Sequence, residues 1–248
     1  MKKYFAKAFL GLCALGTSTV AFAQEAAEAA QPAVESGMHQ ALKTKFIEGG
    51  ADFMSLVAIA LIFGLAFCLE RIIYLNLAET NPSKLLKGIE EALDRGDVEA
   101  AKTIARDTRG PIASIAYQGL MRIDQGVDIV EKSIVSYGGV QAGLLEKNLS
   151  WVTLFIAMAP SLGFLGTVVG MIMAFDKIEQ VGDISPTVVA GGMKVALITT
   201  VGGLIVALIL QIFYNYLLSK LESILNQMED ASISLIDLVI KYNLKFKK

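Results

Sequence analysis

Apolar residues are not spread evenly along this chain but gathered in long runs that polar segments separate. A helix needs roughly 20 apolar residues to cross about 30 Å of hydrocarbon. Three runs approach or exceed that length: Phe53 to Leu69, Trp151 to Phe175 and Val195 to Leu218. The first has seventeen uncharged residues, and Ile72-Ile73-Tyr74-Leu75 prolong its apolar face, with Arg71 expected to snorkel its charge toward water. A fourth run, at the N-terminus, is of another kind. Lys2, Lys3 and Lys7 precede sixteen uncharged residues, and Ala21-Phe22-Ala23 stands before Gln24. This three-part pattern predicts a secretory signal peptide cleaved between Ala23 and Gln24. The alternative is an uncleaved first helix, which the small residues at the end of the run disfavour. Under either reading residue 24 lies outside the cytoplasm.

Charge then orients the spans. Residues 71 to 150 hold ten Lys or Arg and the tail after Leu218 holds five, whereas the segment from Asp176 to Gly192 holds only Lys177. The positive-inside rule places the middle segment and the tail in the cytoplasm. The expected fold class is therefore an all-α membrane protein, three transmembrane helices extended by cytoplasmic helices after a cleavable signal peptide. The boundaries expected are a signal peptide 1–23, an exported segment 24–50, spans at 51–75, 151–175 and 193–218, a cytoplasmic helical region 76–150, an external loop 176–192 and a cytoplasmic tail 219–248.

Within the cytoplasmic region, punctuation predicts several helices. Asn81-Pro82 reads as an N-cap followed by proline at the first helical position, while Gly96-Asp97 and Gly110-Pro111 each stop one helix and start the next. Leu85, Leu86, Ile89 and Leu93 recur at helical spacing, and Ile112, Ile115 and Leu120 do so less strictly, so each helix has one apolar stripe.

Composition removes several function classes. With 54% hydrophobic and 19% charged residues and a mean hydropathy of +0.55, the bilayer is the expected solvent. A net charge of -2 provides no basic surface for nucleic acid, and one histidine, His39, with two cysteines, Cys13 and Cys68, does not make a metal-ligand set. No cofactor is expected. A membrane enzyme lacks support, because no nucleophile and base or phosphate loop stands out.

The second and third runs carry stripes of small residues. In the second, Gly163, Thr167, Gly170 and Ala174 fall three to four apart, Gly166 and Gly170 add a GxxxG spacing, and Pro160 removes one backbone donor. In the third, Ala196, Thr200, Gly203 and Ala207 form a similar stripe, with Thr199 and Gly202 beside it. Small stripes allow close helix packing in lipid, and that reading suits any single glycine. The sharper reading is that one stripe faces a lumen with threonine hydroxyls as its polar groups. At about 1.5 Å per residue, Thr167 lies roughly 12 Å below Phe175 and Thr200 roughly 9 Å below Lys194, so the hydroxyls are expected at one depth. Neither run contains Asp, Glu or His. Proton relays through membranes usually depend on such groups, so a proton path here needs a carboxylate from a partner. Lys194, at the edge of the third run, is expected to snorkel.

The stretch Leu145-Glu146-Lys147-Asn148-Leu149, continued by Ala159-Pro160-Ser161-Leu162-Gly163-Phe164-Leu165-Gly166-Thr167-Val168-Val169-Gly170-Met171, resembles the MotA/TolQ/ExbB proton channel family, ExbB and TolQ most of all. The likeness continues at Gly192, Ala196-Leu197, Thr200 and Gly203-Leu204, and upstream at Arg95-Gly96-Asp97, Pro111 and Gly119-Leu120, covering roughly residues 50 to 225. The resemblance implies a homopentamer in a bacterial inner membrane enclosing single-span ExbD- or TolR-like helices. An aspartate of that partner exchanges protons beside a ring of threonines, Thr167 and Thr200 by motif position, with Thr199 adjacent. Proton flow then drives a TonB- or TolA-like protein that reaches the outer membrane. Relatives often carry a glutamate where alignment on Gly192 and Ala196 places Val195, and the adjacent Lys194 has the opposite sign. Within the family the exported N-terminal segment and small tail favour an ExbB-like role over a TolQ-like one in envelope maintenance, and a flagellar stator is disfavoured by three spans. A non-conducting membrane scaffold is the rival from another class.

Overall fold

The computed structural model describes residues 38–182 and 186–246. The expected signal peptide and its expected cleavage site at Ala23 and Gln24, together with residues 24–37, lie outside the described residues. The chain divides into two compact units, residues 1–47 and 48–248. In the first, the described residues belong to α1 (Met38–Glu48). The second is helical throughout its described residues: α2 (Ala51–Ala78), α3 (Pro82–Asp94), α4 (Val98–Asp107), α5 (Pro111–Leu120), a 3-10 turn (Ile123–Gln125), α6 (Val127–Glu146), α7 (Leu149–Val181) and α8 (Pro186–Phe246).

Three of these helices are long and apolar enough to cross a membrane, and they contain the three runs read from the sequence. All of them overrun those runs. Most of the stretch from Asp176 to Gly192, expected as a loop, is helical, since α7 continues to Val181 and α8 begins at Pro186. The tail expected after Leu218 is the second half of α8, a single helix of 61 residues. Its buried residues Leu217, Leu221, Ile224, Met228, Ala231, Leu235 and Val239 recur every three or four positions. That is the spacing of a seam between packed helices. The seam joins the core made by Leu85, Ile89 and Leu93 of α3 and Ile112, Ile115 and Leu120 of α5.

The predicted helix starts are in place. The Asn81 side chain accepts from the Lys84 amide at 3.3 Å, with Pro82 at the first turn of α3. Asp97 accepts from the Ala100 amide at 2.9 Å at the start of α4. Each satisfies a backbone donor that a helix N-terminus leaves without an intrahelical partner. Gly110 precedes Pro111 at φ +109, in the left-handed half of backbone space where a side chain is strained.

The far end of α8 is tied down by charge. Lys241 lies 3.1 Å from Glu90 and 3.6 Å from Asp94, and Lys245 lies 3.4 Å from Asp94. Partial desolvation works to raise the Asp94 carboxyl, but the ammonium groups of Lys241 and Lys245 overcome it and hold the group below its ordinary range. The Glu90 hydrogen bond and the Asp94 charge push Lys241 up.

Arg71 departs from expectation. It does not snorkel: the residue is 2% exposed. Its guanidinium grips Glu70 through two hydrogen bonds, at 2.8 and 2.9 Å, and lies 4.3 Å from the Tyr74 ring centroid. Nη1 also donates to the carbonyls of Lys147 at 2.6 Å and Leu145 at 3.4 Å. Those carbonyls terminate α6, where Asn148 turns the chain at φ +68 before α7 begins. A cation there satisfies helix-end carbonyls and complements the negative end of the helix dipole. Arg71→Ala is expected to destabilise the protein by about 2 kcal/mol, because it leaves the Leu145 and Lys147 carbonyls without their charged donor. Glu70, half exposed and also bonded by Asn148, loses less. Thermal unfolding in detergent checks this; an unchanged melting temperature would contradict the clasp.

Candidate functional site

α2, α7 and α8 pack around one another by two different means. On the α2 side the contact is aromatic: Phe67 stacks on Trp151 and Phe155 at 5.8 and 6.0 Å between centroids, and Phe63 on Phe155 at 6.2 Å. Between α7 and α8 the contact is nearly backbone to backbone. A Cβ on Gly203 would lie 2.5 Å from the Ala159 carbonyl oxygen and 3.1 Å from the Gly163 Cα. A Cβ on Gly163 would lie 2.9 Å from the Thr199 carbonyl oxygen, and one on Gly170 3.1 Å from the Ala196 amide nitrogen. Gly166 faces the Thr199 side chain, and Gly192 meets Ala174. The two small stripes therefore lie against each other within one subunit, the arrangement lipid-embedded helices adopt when only close contact holds them. Pro160, beside Ala159 in this seam, stands inside an uninterrupted α7.

At the edge of the seam the stripes bring two hydroxyls together. Thr167 Oγ1 and Thr200 Oγ1 hydrogen-bond to each other, the shared depth that helix rise predicts. Thr167 Oγ1 is 3.3 Å from the carbonyl oxygens of Gly163 and Ala196, and Thr200 Oγ1 is 3.3 and 3.2 Å from the same two. Both residues are half-buried. Thr199 is placed differently. It is fully buried against Gly166, and its hydroxyl turns back to the Ala196 and Val195 carbonyls of its own helix at 2.8 and 3.2 Å.

Lys194 is half exposed and its Nζ lies 2.7 Å from Glu48. Val195 presents Cγ1 to the position a Cβ on Gly50 would take, at 3.6 Å. Two participants escaped the sequence reading. Ala159 forms the tightest approach to Gly203, and its place beside Pro160 was the available signal. The clasp of Arg71 on the Leu145 and Lys147 carbonyls joins residues more than 70 positions apart, and nothing local announces it.

The fold and this seam define a multi-pass helical membrane protein in which two tightly apposed spans carry a hydroxyl pair and no carboxylate. The comparisons agree: a profile of the MotA/TolQ/ExbB proton channel family matches residues 107–230, half of the chain. The chain belongs to that family. A biopolymer transport protein ExbB homolog of Methanothermobacter thermautotrophicus is 28% identical over 186 residues, 74% of this chain and 65% of that protein. Biopolymer transport protein exbB1 of Vibrio cholerae is 37% identical over 89 residues, 33% of this chain and 39% of that protein. Biopolymer transport protein ExbB of Aquifex aeolicus is 36% identical over 78 residues, 32% of this chain and 53% of that protein. The chain thus spans less than two thirds of the length of each of these relatives.

Proposed function

We propose that this protein is the ExbB-like, pore-forming subunit of a bacterial inner-membrane motor driven by the proton-motive force. The observation that carries the reading is the Thr167–Thr200 hydroxyl pair, set in spans without any Asp, Glu or His. Hydroxyls relay and solvate a proton but do not hold its charge, so the group that titrates comes from a second protein. An ExbD- or TolR-like single span with one intramembrane aspartate fits that need. Five copies of this chain enclose the partner, with residues 76–150 and the end of α8 in the cytoplasm and residues 24–50 in the periplasm. Each elementary charge crossing 100 mV releases about 2.3 kcal/mol, enough to drive rotation of one component against the other. The work is delivered to a TonB-like protein serving outer-membrane transport; a TolQ-like role in envelope integrity is the second reading, favoured by the same motif residues.

Two measurements test this. Purification in gentle detergent is expected to bring down a small single-span protein with one aspartate in its span. Vesicles holding both proteins are expected to take up protons under an imposed gradient, and vesicles holding this chain alone are not. Equal flux without the partner overturns the reading, and the absence of flux with it leaves the scaffold alternative.

A further inference from the structure

Away from the seam, a groove of about 390 Å³ lies between the end of α5 and one face of α6. Gln118 and Arg122 form one wall, and Lys132, Ser133, Ser136 and Tyr137 form the other at the three- and four-residue spacing of a single helix face. Ile129 and Val140 close its two ends.

The Arg122 guanidinium is fixed in place without being neutralised. Its Nη1 donates to Ser133 Oγ at 2.7 Å, to Gln118 Oε1 at 3.0 Å and to the Gln118 carbonyl at 3.2 Å. The last of these bonds caps α5. Unlike Lys102, Lys220 and Lys241, which sit against Glu99, Glu79 and Glu90, neither Arg122 nor Lys132 has a carboxylate within ion-pair distance among the described residues. Asp128 and Glu131 line a separate groove on the other side of Lys132, and Asp124 lies in the 3-10 turn. With these three acids against two cations the neighbourhood is slightly negative as a whole, so a long polyanion is not drawn to it. What the groove offers is local: a held guanidinium, an ammonium, two serine hydroxyls and an aromatic wall. A guanidinium with hydroxyl donors beside it is a recognition geometry for phosphate oxygens.

We propose that this groove binds a small soluble phosphate-bearing molecule. Its phosphate lies between Arg122 and Lys132 with Ser133 and Ser136 as further donors, and its organic part lies on Tyr137 and Ile129. Position argues against a lipid headgroup as the source of the phosphate. Ser133 stands on α6, which ends at Glu146, and the apolar run begins at Trp151 on α7 beyond the Asn148 turn, so the groove lies on helices outside that run. The phosphatidylglycerol arm of the test separates the two sources. A bound ligand ties α5 to α6, whose far end Arg71 holds against the start of α7.

The test uses the full chain in its detergent-solubilised assembly. Inorganic phosphate and glycerol 3-phosphate are titrated at constant ionic strength, with calorimetry and the thermal unfolding midpoint as readouts, beside nanodiscs of phosphatidylglycerol or phosphatidylcholine. Saturable binding is expected, tighter for glycerol 3-phosphate than for inorganic phosphate. Lys132→Gln, at an exposed position, is expected to weaken it about tenfold, the worth of one charge-assisted hydrogen bond. Arg122→Gln is expected to abolish it. Absence of saturable binding, equal affinity in the Lys132→Gln protein, or stabilisation by phosphatidylglycerol with no response to the soluble phosphates overturns the proposal.

Discussion

Gly203→Ala is expected to open the seam between α7 and α8 and to destabilise the protein by about 3 kcal/mol, the upper part of the range for overpacking. The cost comes from what the added methyl meets. Its nearest neighbours are the Ala159 carbonyl oxygen at 2.5 Å, the Gly163 Cα at 3.1 Å and the Ala159 carbonyl carbon at 3.2 Å, all backbone atoms. No side-chain rotation relieves them, so the helices must separate by about 1 Å to reach ordinary contact. Separation also strips contact from Gly163, Gly166 and Gly170 along the same seam, where the pull of apolar side chains out of water contributes nothing between helices already in lipid. Gly166→Ala is the graded comparison. Its methyl meets the Thr199 side chain, Oγ1 at 2.7 Å and Cβ at 2.8 Å, and a rotamer change relieves part of that, so a smaller loss is expected. Gly139→Ala, with nothing within 4 Å inside the subunit, is expected to leave the subunit's stability unchanged or to raise it by about 0.5–1 kcal/mol through helix propensity. Thermal melts in detergent give the order directly. Equal melting temperatures for Gly203→Ala and the parent would mean that the close approach does not exist.

What the sequence made legible follows from how local each signal is. The three spans could be read because a bilayer demands an uninterrupted apolar stretch, and Asn81, Asp97 and Pro111 mark helix starts through chemistry confined to one turn. The meeting of Thr167 and Thr200 could be read because both depths count from apolar boundaries at a constant rise per residue. Which way the small stripes face could not, because glycine serves a lumen and a tight seam equally well, and only the partner helix decides. Arg71 was misread for a related reason. An arginine near the end of a span ordinarily reaches for water, and what holds it inside is a set of carbonyls near residue 145, invisible from its own neighbourhood. The helical second half of α8 is a different case. Its stripe from Leu217 to Val239 is plain in the sequence, but the polar residues between its members resemble a solvated tail until α3 and α5 are seen to cover the stripe.

Converting both Thr167 and Thr200 to valine is expected to reduce proton flux in partner-containing vesicles to the level of vesicles lacking the partner. Valine keeps the branching of threonine but puts a methyl where each hydroxyl stood, and two methyls need more room than two hydrogen-bonded oxygens. The Thr167→Ala, Thr200→Ala pair, which adds no bulk, is therefore measured beside it and is expected to lose flux equally. The carbonyls of Gly163 and Ala196, which accept from these hydroxyls, are also the acceptors of the helical amides four residues on. Neither carbonyl is therefore orphaned by the substitution. For the alanine pair the lost hydrogen bonds are expected to cost about 1 kcal/mol, since hydrogen bonds between membrane helices average roughly 0.6 kcal/mol. Flux and melting temperature are thus expected to part company, which a purely structural role for the pair does not allow. Single substitutions keep one hydroxyl at the same depth and are expected to give intermediate flux. Thr199→Val separates passage from packing on the same helix. Its hydroxyl is fully buried and turned to its own backbone, so flux within about twofold of the parent is expected if its part is confined to the seam, the scale of less than 1 kcal/mol in a barrier. Should flux survive the double valine substitution, the hydroxyl pair is not on the proton's route, and the seam serves only to hold the subunit together.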